Sequence, residues 1–193
     1  MKLSYVVIMA GSALSSAAFA QSEQQIIQRD VNQEKRIEQG LKSGQLTTKE
    51  ASKLEREESR IDKMESNALK DGKLTDAERR RITQEQNKAS KDIYREKHDA
   101  ATGNPNSASS QRMQADVQRN VNQQERIEQG VRTGELTKGV AAKLERGQAH
   151  VDRKEARAGA DGHISGNEQR NIQNAENQQS KKIHREKHNK REN

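Results

Sequence analysis

The stretch DVNQEKRIEQG at residues 30–40 returns as NVNQQERIEQG at residues 120–130, and this recurrence sets the reading of the whole chain. Outward from it, residues 30–99 align on residues 120–189 without a gap, with 32 identities in 70 positions. Lys53-Leu54-Glu55-Arg56 matches Lys143-Leu144-Glu145-Arg146, and Arg95-Glu96-Lys97-His98 matches Arg185-Glu186-Lys187-His188. A repeat at fixed offset marks a duplicated structural unit. Between the copies, residues 100–111 read AATGNPNSASSQ, uncharged and carrying the chain's one proline, Pro105. Small polar residues around a proline read as a flexible linker.

Within a copy, Gly and Leu-Thr punctuation leaves three segments of helical period. Ile27, Val31, Ile37 and Leu41 share one stripe; Ala51, Leu54, Ile61 and Ala68 share a second; Ile82, Ala89 and Ile93 share a third. The second copy keeps the pattern with Val117, Val121, Ile127 and Val131, then Leu144, Val151 and Ala158, then Ile172 and Ile183. Strand-like alternation is absent. The expected fold is all-α: two tandem copies of a loosely packed three-helix unit, residues 21–99 and 113–193, joined by a flexible linker at residues 100–112.

Composition limits what such a chain can do. Of its 193 residues only 28% are hydrophobic and 34% are charged, with no Cys, no Trp and a net charge of +7. A sandwich or doubly wound sheet cannot be built from so few apolar side chains. Residues 1–20 carry Lys2, an apolar run from Leu3 to Leu14, and Ala18-Phe19-Ala20 as a small-x-small site. They read as a signal peptide cut after Ala20, so the mature chain is expected in the periplasm or outside the cell, without a transmembrane segment. Zero Cys removes disulfides, thiol nucleophiles and iron–sulfur clusters.

Two motifs invite a metal. Asp71-Gly72-Lys73-Leu74-Thr75-Asp76-Ala77-Glu78 has the second half of an EF-hand loop, and Asp161, Gly162, Ile164 and Glu168 repeat it. The first ligand positions fall on Asn67 and Leu69, or on Arg157 and Gly159, so any calcium held by Asp71 and Glu78 or by Asp161 and Glu168 is expected to be weak. A simpler reading covers the same letters: Thr75 with Glu78, Thr47 with Glu50 and Ser165 with Glu168 are capping boxes. His184 and His188, one turn apart on a helix, are candidate ligands for Cu, Ni or Zn. The simpler reading is an exposed polar helix end, where His and Lys suit the negative end of the helix dipole.

No nucleophile–base pair, phosphate-binding glycine loop or HExxH motif occurs, and the carboxylates read as solvated surface groups, so no enzyme is expected. The basic excess is densest from Lys181 to Arg191. With two Tyr, one Phe and no Trp, the chain lacks the stacking platforms of nucleic-acid binding.

The motif order VNQ, RIEQG, SGQLT, KLER, DGKLT, YREKH resembles a group of small exported proteobacterial helical proteins sometimes labelled EF-hand-like. That resemblance brings no activity with it. The Leu-Thr starts are also similar to the Leu-Thr-x-x-Gln motifs of helical periplasmic stress chaperones, although Thr137 is followed by Gly139 and Val140. The function expected is divalent-cation binding or buffering in the periplasm; the alternative is a cationic holdase-type chaperone or envelope-stress scaffold with client proteins as partners.

Overall fold

The structure, a computed structural model, describes residues 14–189. Of the expected leader, residues 1–13 lie outside the described residues, as do Lys190 and Arg191 of the basic C-terminal stretch. Six helices follow in order: α1 (Leu14–Ser43), α2 (Thr48–Ala68), α3 (Asp76–Lys97), α4 (Ala108–Thr133), α5 (Lys138–Ala158) and α6 (Gly166–His188). The all-α expectation holds, and among the described residues no helix is long and apolar enough to cross a membrane. Helix α1 runs through the expected cut after Ala20 without a break.

The helix starts follow the capping chemistry. Thr47, Thr75 and Ser165 each accept from the amide three residues on, while Glu50, Glu78 and Glu168 reach back to the cap amide. At Thr137 half of the box survives, since Val140 has no carboxylate to return. Leu46 and Ala51, which flank the Thr47 cap as a hydrophobic staple, are both fully buried. The RIEQG motif has a packing reason. A Cβ on Gly40 would come within 2.6 Å of Leu46, and one on Gly130 within 2.6 Å of Leu136, so glycine lets the turn leucine fold back onto the helix.

Equivalent helices of the two copies pack on each other: α2 against α5 and α1 against α4, both pairs antiparallel. Along α1, Lys35 meets Glu125 at 2.6 Å, and further on Lys42 meets Gln118, earlier in α4, at 3.2 Å. Ser59 donates to the Ala149 carbonyl at 2.8 Å, from the equivalent position of the other copy. The α2–α5 approach is lined by small buried residues seven apart, Ser52, Ser59 and Ser66 on one helix and Ala142, Ala149 and Ala156 on the other. Helices α3 and α6 flank this centre with matching contacts: Arg36 holds Ser90 as Arg126 holds Ser180, and Gln33 donates to the Gln86 carbonyl as Gln123 does to Glu176.

This packing corrects the expectation of two separate units on a tether. Each apolar cluster mixes both copies. One joins Ile37, Leu41 and Leu54 to Met113, Val117 and Ile172; another joins Ile27 to Ile127, Leu144 and Ile183. The reason is that one copy's thin apolar stripe is covered by its counterpart as well as by its own third helix. The linker is shorter than residues 100–112, because α4 already begins at Ala108. It is also docked: the Gly103 amide donates to the Gly44 carbonyl at 2.9 Å. A Cβ on Gly103 would lie 2.2 Å from the Leu46 carbonyl oxygen, so the strand of linker sits directly on the α1–α2 turn.

Candidate functional site: a buried carboxylate seam

Between the apolar clusters the facing sides of α1, α2, α4 and α5 are acidic. On α2 the inward positions are Glu55, Glu58, Asp62 and Glu65; on α5 they are Glu145, Gln148, Asp152 and Glu155. The 3-4-3 spacing puts each set on one helix face. Asp30 and Glu34 enter from α1, and Asn120 and Gln124 from α4. All twelve are buried, with relative exposures of 2% or less.

Amide side chains thread the seam. Gln86 donates to Asp30 at 2.7 Å, to Glu65 at 3.3 Å and to the Ile26 carbonyl at 3.0 Å. Gln124 donates to Asp62 at 3.3 Å and Glu145 at 3.2 Å. Asn120 donates to Glu155 at 2.8 Å and Glu55 at 3.5 Å, while Gln148 donates to Asn120 at 2.9 Å and Asp152 at 3.3 Å. These donors do not suffice. One oxygen each of Asp30, Glu34, Glu55, Asp62, Glu65, Glu145, Asp152 and Glu155, and both of Glu58, are buried and meet no donor.

Burial is the first cause that disfavours charge here, and neighbouring acids are the second. Both push Glu34, Glu55, Glu58, Asp62, Glu65 and Glu155 well above the carboxylate range. Burial pushes Asp30 and Asp152 up to about 7, and Glu145 to about 8. Asp62 touches Asp152, and Asp30 touches Glu65, as acid–carboxylate contacts that need a shared proton. Among the described residues, cations paired with acids stand at the margins: Lys138 beside Glu23 at 3.6 Å and Arg119 beside Glu176 at 3.1 Å.

Two trios have ligand atoms mutually within 4.8 Å and are wholly buried: Asp30, Asp62 and Glu65, and Glu34, Glu55 and Asp152. A third trio, Glu50, Glu96 and Asp99, runs from buried Glu50 to exposed Asp99. There Glu50 is committed to the Thr47 cap, and Glu96 pairs with Lys53 and Arg95.

The residues singled out from sequence lie elsewhere. Asp71 accepts from the Lys73 amide at 2.9 Å, and Asp161 from the His163 amide at 2.8 Å. Glu78 and Glu168 close capping boxes. Each carboxylate is used within its own turn. The His184 and His188 rings lie tilted with centroids 4.1 Å apart, where Tyr94 and His98 stack in the first copy, and His188 Nδ1 meets the His184 carbonyl at 2.7 Å. Neither group touches the seam.

The reading of the carboxylates as solvated is overturned by the same geometry. The bases of α2 and α5 do face out, with Arg56, Arg60, Lys63, Arg153 and Arg157 lining an open groove of about 440 Å³. The acids beside them in sequence face in. The available signal was the run of Ser and Ala at seven-residue spacing, which marks a close helix–helix face and so identifies its neighbours as buried.

No protein-family model, no curated protein and no solved structure matches this chain.

Proposed function

We propose that the chain is an exported, non-enzymatic helical protein of the periplasm or the extracellular space that binds divalent cations through its buried carboxylates. Its architecture is read as two tandem three-helix copies merged about a pseudo-twofold axis. The observation supporting the function is the set of fully buried carboxyl oxygens that no donor reaches. A carboxylate in that position is stable only when paired, protonated or coordinated. A cation meets several such oxygens at once: atoms within 4.8 Å of each other can all touch one ion whose oxygen ligands stand about 2.3–2.6 Å away.

The holdase alternative draws less support. A client-binding surface is apolar, and among the described residues Tyr94, at 61% exposure, is the large hydrophobic side chain left open.

The test is thermal unfolding of the mature chain with Ca²⁺, Mn²⁺, Mg²⁺, Zn²⁺, Cu²⁺ or Ni²⁺ added singly at fixed ionic strength. At a hundred times Kd a bound ion adds about 2.7 kcal/mol, a rise of roughly 5–10 °C for a chain of this size. An unchanged Tm with all six would remove the proposal.

A further inference from the structure

The two copies are not equally acidic at the seam. Where the first has Asp30, Glu34 and Glu58, the second has Asn120, Gln124 and Gln148. The substitutions are isosteric, and each amide does visible work. Gln124 bridges Asp62 and Glu145, Gln148 bridges Asn120 and Asp152, and Asn120 holds Glu155. At the pseudo-equivalent positions Glu34 and Glu58 meet matching neighbours, but their own side chains have no N–H to donate. Glu34 stands with Glu55 and Asp152 as Gln124 stands with Glu145 and Asp62. The second copy's half is thus better supplied with donors, although one oxygen each of Glu145, Asp152 and Glu155 stays unpartnered, while in the first copy's half Glu58 leaves both oxygens without a donor.

From this asymmetry we infer that the first copy's half of the seam is a site for two hard divalent cations, one held by Glu34, Glu55 and Asp152, the other by Asp30, Asp62 and Glu65, with Glu58 between them. This rests on the cation-binding reading and assigns its place and ligand class. Both oxygens of Glu58 are buried and without a donor, and on the inward face of α2 it stands between Glu55 of one trio and Asp62 of the other, which suits a bridging carboxylate. The donors are carboxylate oxygens throughout, with no imidazole, and the chain has no thiolate. Such a set favours Ca²⁺, Mn²⁺ or Mg²⁺ over Cu²⁺, Ni²⁺ or Zn²⁺. Ions of this charge number offset four of the seven carboxylates; the amides of Gln86 and Asn120 already donate to Asp30, Glu65 and Glu55.

The experiment gives the first copy the amides of the second: Asp30→Asn, Glu34→Gln and Glu58→Gln together in the mature chain. Isothermal titration with Ca²⁺ and with Mn²⁺ is run beside the parent and beside a His184→Ala, His188→Ala variant. Expected are two hard ions per parent chain, unaltered binding in the histidine variant, and a loss of about a hundredfold or more in the triple amide variant. The triple variant should also be the more heat-stable protein when no cation is present, which shows that it folds. Equal binding by the triple variant and the parent would overturn the site while leaving cation binding itself intact. Binding of Cu²⁺ or Ni²⁺ alone, lost in the histidine variant, would overturn the hard-ion assignment. Absence of binding by the parent to any cation would overturn both readings, and a more stable triple variant in that case would assign the seam to protons.

Discussion

Asp62 and Asp152 hold the same position in the two copies and touch each other across the α2–α5 pair, side chain to side chain, at the middle of the seam. Such a contact needs one proton between two carboxyl groups that are each buried to 1% exposure or less. Replacing one acid by its amide supplies that hydrogen permanently. Asp62→Asn should therefore raise the cation-free Tm at pH 8 by a few degrees, about 1–2 kcal/mol, and change it little at pH 5. Circular dichroism melts at the two pH values check this; a lower Tm at pH 8 would mean that the pair is not protonated.

The pH dependence of the cation-free protein follows from the same burial. The unfolded carboxyls titrate near their ordinary values, about 4. In the fold Asp30, Asp116 and Asp152 are raised to about 7, and Glu145 and Glu176 to about 8. Groups raised in the fold contribute stability that is fully present below the unfolded value and is lost as pH climbs through the folded one. Stability should thus fall between about pH 4 and pH 8, the reverse of ordinary acid denaturation. Urea unfolding at pH 5 and at pH 8.5 in chelator measures it.

Shared apolar clusters make a covalent link between the copies dispensable for cohesion. A protease site placed between Asn104 and Asn106, once cut, should leave two fragments that co-elute as one particle of unchanged size. Separation of the fragments on a sizing column would support independent units.

The docked linker gives a sharper local test. Gly103→Ala drives a methyl group into the Leu46 carbonyl, where the space is 2.2 Å, and should cost about 1–3 kcal/mol. Denaturant midpoints measure the loss. Ala101, half-buried beside it, serves as a control site for a conservative change to Ser.

At the EF-like turn, Thr75→Ala should destabilise by about 1 kcal/mol, because the Glu78 amide loses its acceptor at 3.2 Å. Glu78→Gln should be nearly neutral, with calcium or without, since a glutamine side chain also completes the box. A calcium-dependent rise in Tm that disappears in Glu78→Gln would return the ion to this turn.

Helix content and caps were legible in the sequence because they are local. Thr47, Thr75 and Ser165 need only their own next turn to act. The partner of each helix was not legible, since α2 of one copy and α5 of the other present nearly the same stripe and either a neighbour or a counterpart can cover it. The seam was hidden for a related reason. Glu55, Asp62 and Glu65 alternate with Arg56, Lys63 and Ser66, and that alternation reads as salt-bridged surface until Ser59 and Ala149 are seen in contact.

The pairing of α2 with α5 and α1 with α4 gives the molecule the form of a homodimer written onto a single chain. In a true homodimer every substitution appears twice, so two symmetry-related positions can never carry an acid on one side and an amide on the other. Fusion lifts that restriction: once Gln124 and Glu34 belong to separate codons, one side of a symmetric interface can be sealed while its mirror image stays chemically open. The cost of duplication here is a second set of helices; its yield is a handed interior built from two nearly identical halves.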